Sequence, residues 1–97
     1  MKFSEKVYKL CRKIPKGKVS SYGEIAKKLN SRAYRAVGQA LNKNRNKDVP
    51  CHRIVNSKGE LHGFATGLKH KAELLRKEGV KIKNNKIIDF EEVLFKF

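Results

Sequence analysis

The residues best suited to chemistry lie together in Val49-Pro50-Cys51-His52-Arg53-Ile54-Val55. Cysteine attacks carbon only as its thiolate, and an ordinary thiol, with a pKa of about 8.5, is only a few per cent ionised at neutral pH. A neighbouring base or positive charge raises that fraction. His52 can take the proton, directly or through a water, and Arg53 adds positive potential. Pro50 stiffens the approach, and residues 53–56 read as a strand. The alternative reading is inert: cysteine is among the most buried residue types, and a lone Cys-His pair is more often core plus surface.

The rest of the chain must hold that stretch in place. Residues 4–13 read as a helix, with Phe3, Val7, Leu10, Cys11 and Ile14 at helical spacing, Ser4 as its cap, and Phe3 and Tyr8 as a staple. Cys11 falls on the apolar face as a core thiol. Pro15-Lys16-Gly17-Lys18 is a basic turn. Ser21-Tyr22-Gly23-Glu24 forms a capping box that opens a helix to about Leu29. Asn30-Ser31 turns into a third helix, residues 32–42. Its expected buried stripe is Ala33, Ala36, Val37, Ala40 and Leu41, with Arg32, Arg35, Gln39, Asn42 and Lys43 elsewhere. Two short helices joined tightly, the second basic and rich in small residues, make a helix-turn-helix. A polar link, residues 44–48, leads to Pro50-Cys51. Residues 53–56 and 60–64 read as a hairpin wing. A helix over 67–77 is stopped by Gly79, a hairpin or loop turns at Asn84-Asn85, and Asp89 caps a last short helix. The expected fold is mainly α: a winged helix-turn-helix DNA-binding domain with a small β-hairpin wing, one domain over residues 1–97.

Charge points to the partner. Twenty-four Lys and Arg against nine Asp and Glu give a net +15. That excess on so small a domain favours a polyanion, nucleic acid first, and its scatter along the chain favours a folded basic face over a tail. No apolar run approaches the ~18 residues of a membrane span. Met1 to Glu5 run straight into an amphipathic pattern with no leader. The chain is therefore expected to be a cytoplasmic monomer with Cys11 and Cys51 reduced.

Pro50-Cys51-His52-Arg53-Ile54-Val55 resembles the acceptor-site motif of the O6-alkylguanine-DNA alkyltransferases, the methylated-DNA–protein-cysteine methyltransferases. The segment 14–22 looks like that family's approach to its helix-turn-helix. Arg35-Ala36-Val37-Gly38-Gln39-Ala40-Leu41 is similar to its recognition helix. Asn44, Pro50 and the stretches Gly67-Leu68 and Glu78-Gly79 also match. The likeness is to the family's C-terminal domain; larger members carry an N-terminal domain as well.

The resemblance implies a single-use reaction. Cys51 takes the alkyl group from guanine O6, leaving a thioether and normal DNA, with no cofactor and no metal. It implies that His52 receives the thiol proton through a water and that Glu78 orients His52. Tyr22 donates to guanine N3, and Asn44 braces the active-site turn. Arg35 enters the stack and fills the gap left by the flipped nucleotide. Ser21, Tyr22, Ala36, Gly38, Gln39 and Lys43 contact the minor groove of double-stranded DNA containing O6-alkylguanine. Pro50, Ile54, His62, Gly63, Phe64 and Ala65 line the pocket, with the carbonyls of Cys51 and Ile54 receiving the guanine amino group. The bland readings stand beside these. Glu78 is otherwise a surface carboxylate, Tyr22 a packed aromatic, and the small residues of the third helix close-packing spacers.

The chain also departs from the family pattern. The link from Asn44 to Cys51 is a residue short and more polar; His62 stands where glycine is common, and Phe64 lacks a hydroxyl where tyrosine is usual. The link and the C-terminal stretch look closer to the alkyltransferase-like proteins, which bind alkylated guanine with tryptophan in place of the cysteine. Crowding by His62 is expected to disfavour bulky benzyl adducts. Three further readings differ in what they require: a non-transferring lesion sensor, a winged-helix regulator with a structural Cys51, and a zinc site from Cys51, His52, His62 and His70. The zinc reading has one nearby thiolate and no closed ligand spacing.

Overall fold

The computed structural model describes residues 1–61 and 67–97. Its order is α1 (Phe3–Cys11), β1 (Ser20–Ser21), α2 (Tyr22–Lys28), α3 (Tyr34–Asn42), a 3-10 turn (Cys51–Arg53), β2 (Ile54–Val55), α4 (Leu68–Lys77), β3 (Ile82–Lys83), β4 (Lys86–Ile87) and α5 (Phe90–Val93). Helices dominate, as expected of a winged helix-turn-helix.

The first three helices pack on one another and bury Val7, Leu10, Cys11, Ile14, Ile25, Val37 and Leu41. α1 begins one residue earlier than expected: Lys2 occupies the cap position and no side chain caps it, so Ser4 has no such role. Phe3 and Tyr8 instead pack on the core, and the Tyr8 hydroxyl donates to the Ala40 carbonyl. The cap at α2 is as read: Ser21 Oγ accepts from Glu24 N at 3.1 Å. α2 ends with Asn30 in the left-handed region (φ 54°), and Ser31 N reaches back to the Ala26 carbonyl at 2.9 Å. That closure turns the chain sharply into α3. α3 starts at Tyr34 rather than Arg32. Ser31 Oγ accepts from Ala33 N, which holds residues 31–33 outside the helix. Ala33 is consequently exposed and Ala36 half-buried, so the buried stripe narrows to Val37, Ala40 and Leu41.

The hairpin expected over 53–64 is not how β2 pairs. Ile54–Val55 lies parallel to Ser20–Ser21, with Ser20 opposite Ile54 and Ser21 opposite Val55. Both β2 side chains are fully buried, Ile54 in the helical core and Val55 in a second core with Val19, Leu61, Leu75, Val80 and Ile87. A strand buried on both faces belongs between two layers, not on an exposed wing. Glu60 bridges to Lys86, and residues 62–64 of the expected return strand lie outside the described residues. The antiparallel hairpin is β3–β4, turning through Asn84 and Asn85, both at positive φ as a two-residue hairpin turn requires. Downstream, Asp89 sits at the cap position of α5 with φ 55° and no side-chain cap bond, contrary to expectation. The chain then returns to β1: Val19 N donates to the Val93 carbonyl, and Ser20 Oγ donates to the Phe95 carbonyl at 2.9 Å.

Candidate active site

The approach to Cys51 is set by backbone geometry. Pro50 (φ −79°, ψ 68°) forms an inverse γ-turn in which Cys51 N donates to the Val49 carbonyl at 2.8 Å. Val49 is buried and anchors the turn from inside. The 3-10 turn starts at Cys51 and β2 only at Ile54, so Arg53 precedes the strand rather than opening it.

The polar link before it is ordered by its own side chains. Asn44 Oδ1 accepts from Asn46 N at 2.9 Å, and Asn44 Nδ2 donates to the Asn46 carbonyl at 3.1 Å. Nδ2 also lies 2.8 Å from Cys51 Sγ. A bracing asparagine was the sequence expectation; a donor aimed at sulfur is an additional feature. Arg12 and Asp48 pair at 3.2 Å across the link, but both are exposed and contribute little.

His52 and Glu78 are 26 residues apart in sequence and meet at 3.0 Å, Nε2 to Oε2. Arg53 binds the same carboxylate in a fork, Nε to Oε1 at 2.9 Å and Nη2 to Oε2 at 2.7 Å, and its Nη1 donates to the Ile14 carbonyl at 2.8 Å. Arg53 thus clamps Glu78 rather than acting chiefly as loose positive charge near the thiol. All three side chains are well enclosed, at 16% exposed for His52 and Arg53 and 11% for Glu78. Glu78 is placed by the end of α4. Gly79 (φ 93°) donates to the Arg76 carbonyl and Val80 N to the Leu75 carbonyl, the paired closure that leaves residue 78 as the last cap.

The ionisation states follow. Burial alone would raise the Glu78 carboxyl, but the hydrogen bonds from Arg53 and His52 more than offset it and hold it below its ordinary value. An ionised carboxylate can only accept, so His52 Nε2 carries the hydrogen and Nδ1 keeps its lone pair. Burial lowers the pKa of His52 despite the opposing pull of Glu78, so the ring is neutral and basic near pH 7. Tyr22, half-buried at the first position of α2, has its phenol raised by burial and by the charge of Cys51, which keeps it a donor. Cys11 is fully buried and pushed up to about 12, chiefly by burial, and so stays a thiol.

One feature of the site escaped the sequence reading. Lys71, on the inner face of α4, is fully buried. Burial lowers its ammonium from the ordinary 10.5 to about 8, while charge on Cys51 and Cys11 acts in the opposite sense. A buried cation therefore stands within electrostatic reach of both sulfurs. In the sequence Leu68, Ala72, Leu74 and Leu75 supply the apolar positions of this helix, and Lys71 among them looks like any surface lysine.

The remaining candidates divide. Arg35, Gln39 and Lys43 are exposed on α3, with Ala36 and Gly38 half-buried. A Cβ on Gly38 would stand 3.8 Å from Tyr22 Cε1, so the Tyr22 ring lies across α3 there. Ser21 is 5% exposed, and its hydroxyl already accepts the α2 cap bond. Pro50 is half-buried, and the Ile54 side chain belongs to the core, which leaves only its backbone for a pocket. His62, Gly63, Phe64 and Ala65 lie outside the described residues. No described helix is long and apolar enough to cross a membrane.

Residues 2–80 match the family profile described as "6-O-methylguanine DNA methyltransferase, DNA binding domain". A methylated-DNA–protein-cysteine methyltransferase of Methanosarcina mazei is 46% identical over 83 residues, covering 84% of this chain and 52% of that protein. The chain thus spans about half the length of this curated relative. Among solved structures, S. pombe Atl1 in complex with damaged DNA containing O6-carboxymethylguanine superposes with a TM-score of 0.86 at 34% identity, covering 98% of this chain and 95% of that one. Mycobacterium tuberculosis OGT in complex with DNA superposes with a TM-score of 0.76 at 40% identity, over 80% of this chain and 50% of that one.

Proposed function

Because the chain belongs to the 6-O-methylguanine DNA methyltransferase family, we propose that it repairs O6-alkylguanine in double-stranded DNA by moving the alkyl group irreversibly to Cys51. The observation that carries this reading is the Cys51 environment: a donor on sulfur from Asn44 and, next in the chain, a neutral histidine tied to an ionised, clamped carboxylate.

His52 Nδ1 takes the thiol proton through a water, and the resulting imidazolium faces Glu78. The Cys51 thiolate forms a carbon–sulfur bond as the carbon–O6 bond breaks, and that electron pair passes into the guanine ring. Tyr22 donates a hydrogen bond at ring N3, where charge gathers. The proton held by His52 returns to the purine, so the products are a thioether and guanine. Arg35 and the small residues of α3 enter the minor groove, and Arg35 replaces the extruded nucleotide in the stack. This domain works as a monomer without cofactor.

The near full-length likeness to S. pombe Atl1 favours a second reading, recognition of the lesion without transfer. Intact mass separates the two. After incubation with a duplex carrying one O6-methylguanine, transfer adds about 14 Da at Cys51, and nothing in Cys51→Ser. Tight, lesion-selective binding with no mass gain refutes transfer and leaves the sensor.

A further inference from the structure

We infer that Tyr34 is a second anchor for the duplex, its ring lying against sugar and base edges of the minor groove beside the opened base pair. The inference rests on the DNA reading above. Tyr34 opens α3 and is 54% exposed, more than any other large hydrophobic of the described residues except Met1. The core does not call for it there, since α3 seats itself through Val37, Ala40 and Leu41.

The ring is nonetheless held. A Cβ on Gly23 would lie 3.7 Å from Tyr34 Cε1, which places the ring over the first turn of α2. Tyr34 and Gly38 are four residues apart and so share a side of α3, and the Tyr22 ring lies at Gly38. Two tyrosines therefore line the seam between α2 and α3, one half-buried and one exposed. Arg35 follows Tyr34, Arg32 and Lys43 are exposed at the two ends of α3, and the first turn of α3 carries no acid.

That composition selects the partner. Cations around a fixed, exposed aromatic complement a ligand that is both polyanionic and rich in flat apolar faces. DNA offers both: phosphates meet Arg32 and Lys43, while sugar faces and unstacked bases meet the ring. A ring restrained before binding loses little freedom on contact, so its contribution to affinity is large for one side chain.

The test measures affinity for an O6-methylguanine duplex in the non-transferring Cys51→Ser background, over a series of salt concentrations. Tyr34→Ala is expected to weaken binding about tenfold. The slope of log affinity against log salt should stay unchanged, because no phosphate contact is lost. Tyr34→Phe should bind within about twofold of the parent, since the ring and not the hydroxyl makes the contact. Equal affinity of Tyr34→Ala and the parent overturns the assignment, as does a tenfold loss in Tyr34→Phe or a shallower slope in Tyr34→Ala. A parent that fails to bind any duplex overturns the DNA reading itself, and this inference with it.

Discussion

Replacing Lys71 by methionine should make the protein more stable at neutral pH and its site less reactive. The side chain is fully buried, and its pKa falls from 10.5 to about 8. At 1.36 kcal/mol per tenfold in proton affinity, holding that ammonium charged in the fold costs on the order of 3 kcal/mol at pH 7. Methionine matches its length and removes the cost, less whatever the ammonium gains from its partners. The pH dependence has a definite sign. Between pH 8 and 10.5 the unfolded chain binds more protons at this lysine than the folded chain. The penalty is therefore complete below pH 8 and relieved as pH rises to 10.5. Cys11 acts oppositely: its thiol, pushed to about 12, keeps its proton in the fold, so stability falls as pH passes its ordinary 9.0. The parent profile mixes both effects; the difference between Lys71→Met and the parent isolates the lysine. Urea unfolding followed by circular dichroism should give an advantage of up to ~3 kcal/mol at pH 7 that vanishes by pH 10.5. A difference that is constant over this range, or a variant less stable at pH 7, would refute the argument. In the same variant, iodoacetamide should modify Cys51 more slowly at pH 7, since the attraction between the Lys71 ammonium and charge on the Cys51 sulfur is gone.

Three other expectations follow from the geometry. Glu78→Gln leaves the Arg53 guanidinium enclosed without a counter-charge and should cost roughly 3 kcal/mol in urea unfolding at pH 7. Because the folded Glu78 pKa is lowered, that contribution is present above about 4.5 and lost as pH falls through the folded value, so the variant and parent should converge in acid. Iodoacetamide at pH 8 should label Cys51 in the native protein and leave Cys11 untouched until denaturant is added; mass mapping of both peptides decides it. Gly59→Ala places a Cβ 2.7 Å from Phe90 Cγ at a φ of +79°, and should lower stability by about 2–4 kcal/mol, read as a fall in melting temperature.

Local signals were legible where they act over a few residues. The α2 cap at Ser21, the stop at Gly79 and the Asn84-Asn85 turn all stand where residue types put them. The expected caps at Ser4 and Asp89 failed for the converse reason. A side chain able to cap does so only where the helix starts, and tertiary packing moved or replaced those starts. The pairing of β2 was not legible at all. Ile54-Val55 looks the same whether it meets residues 60–64 or Ser20-Ser21, and only the second choice gives each side chain its own core. The Cys51-His52 pair drew attention by type, and Glu78 entered only through the family resemblance. Nothing local distinguishes a carboxylate at a helix end from its solvated neighbours. Arg53 was read for its charge, but its fixed fork of donors is what joins residues 14, 53 and 78.

The same parallel pair explains why the reactive stretch is where it is. β1 runs directly into Tyr22 at the head of α2, and the 3-10 turn from Cys51 runs directly into β2. Pairing Ser20 with Ile54 and Ser21 with Val55 therefore fixes the separation of the phenol and the thiol through four residues of backbone. Glu78 is brought to the same point from the other core: the closure at Gly79 ends α4, and a Cβ on Gly17 would stand 3.4 Å from the Glu78 carbonyl. Each group proposed to react thus sits at the end of an element: Tyr22 opens α2, Cys51 opens the 3-10 turn and Glu78 closes α4. A substitution that shifts β1 against β2 should damage reactivity before it damages stability, because the two cores can re-pack by small amounts and the geometry of a displacement at carbon cannot.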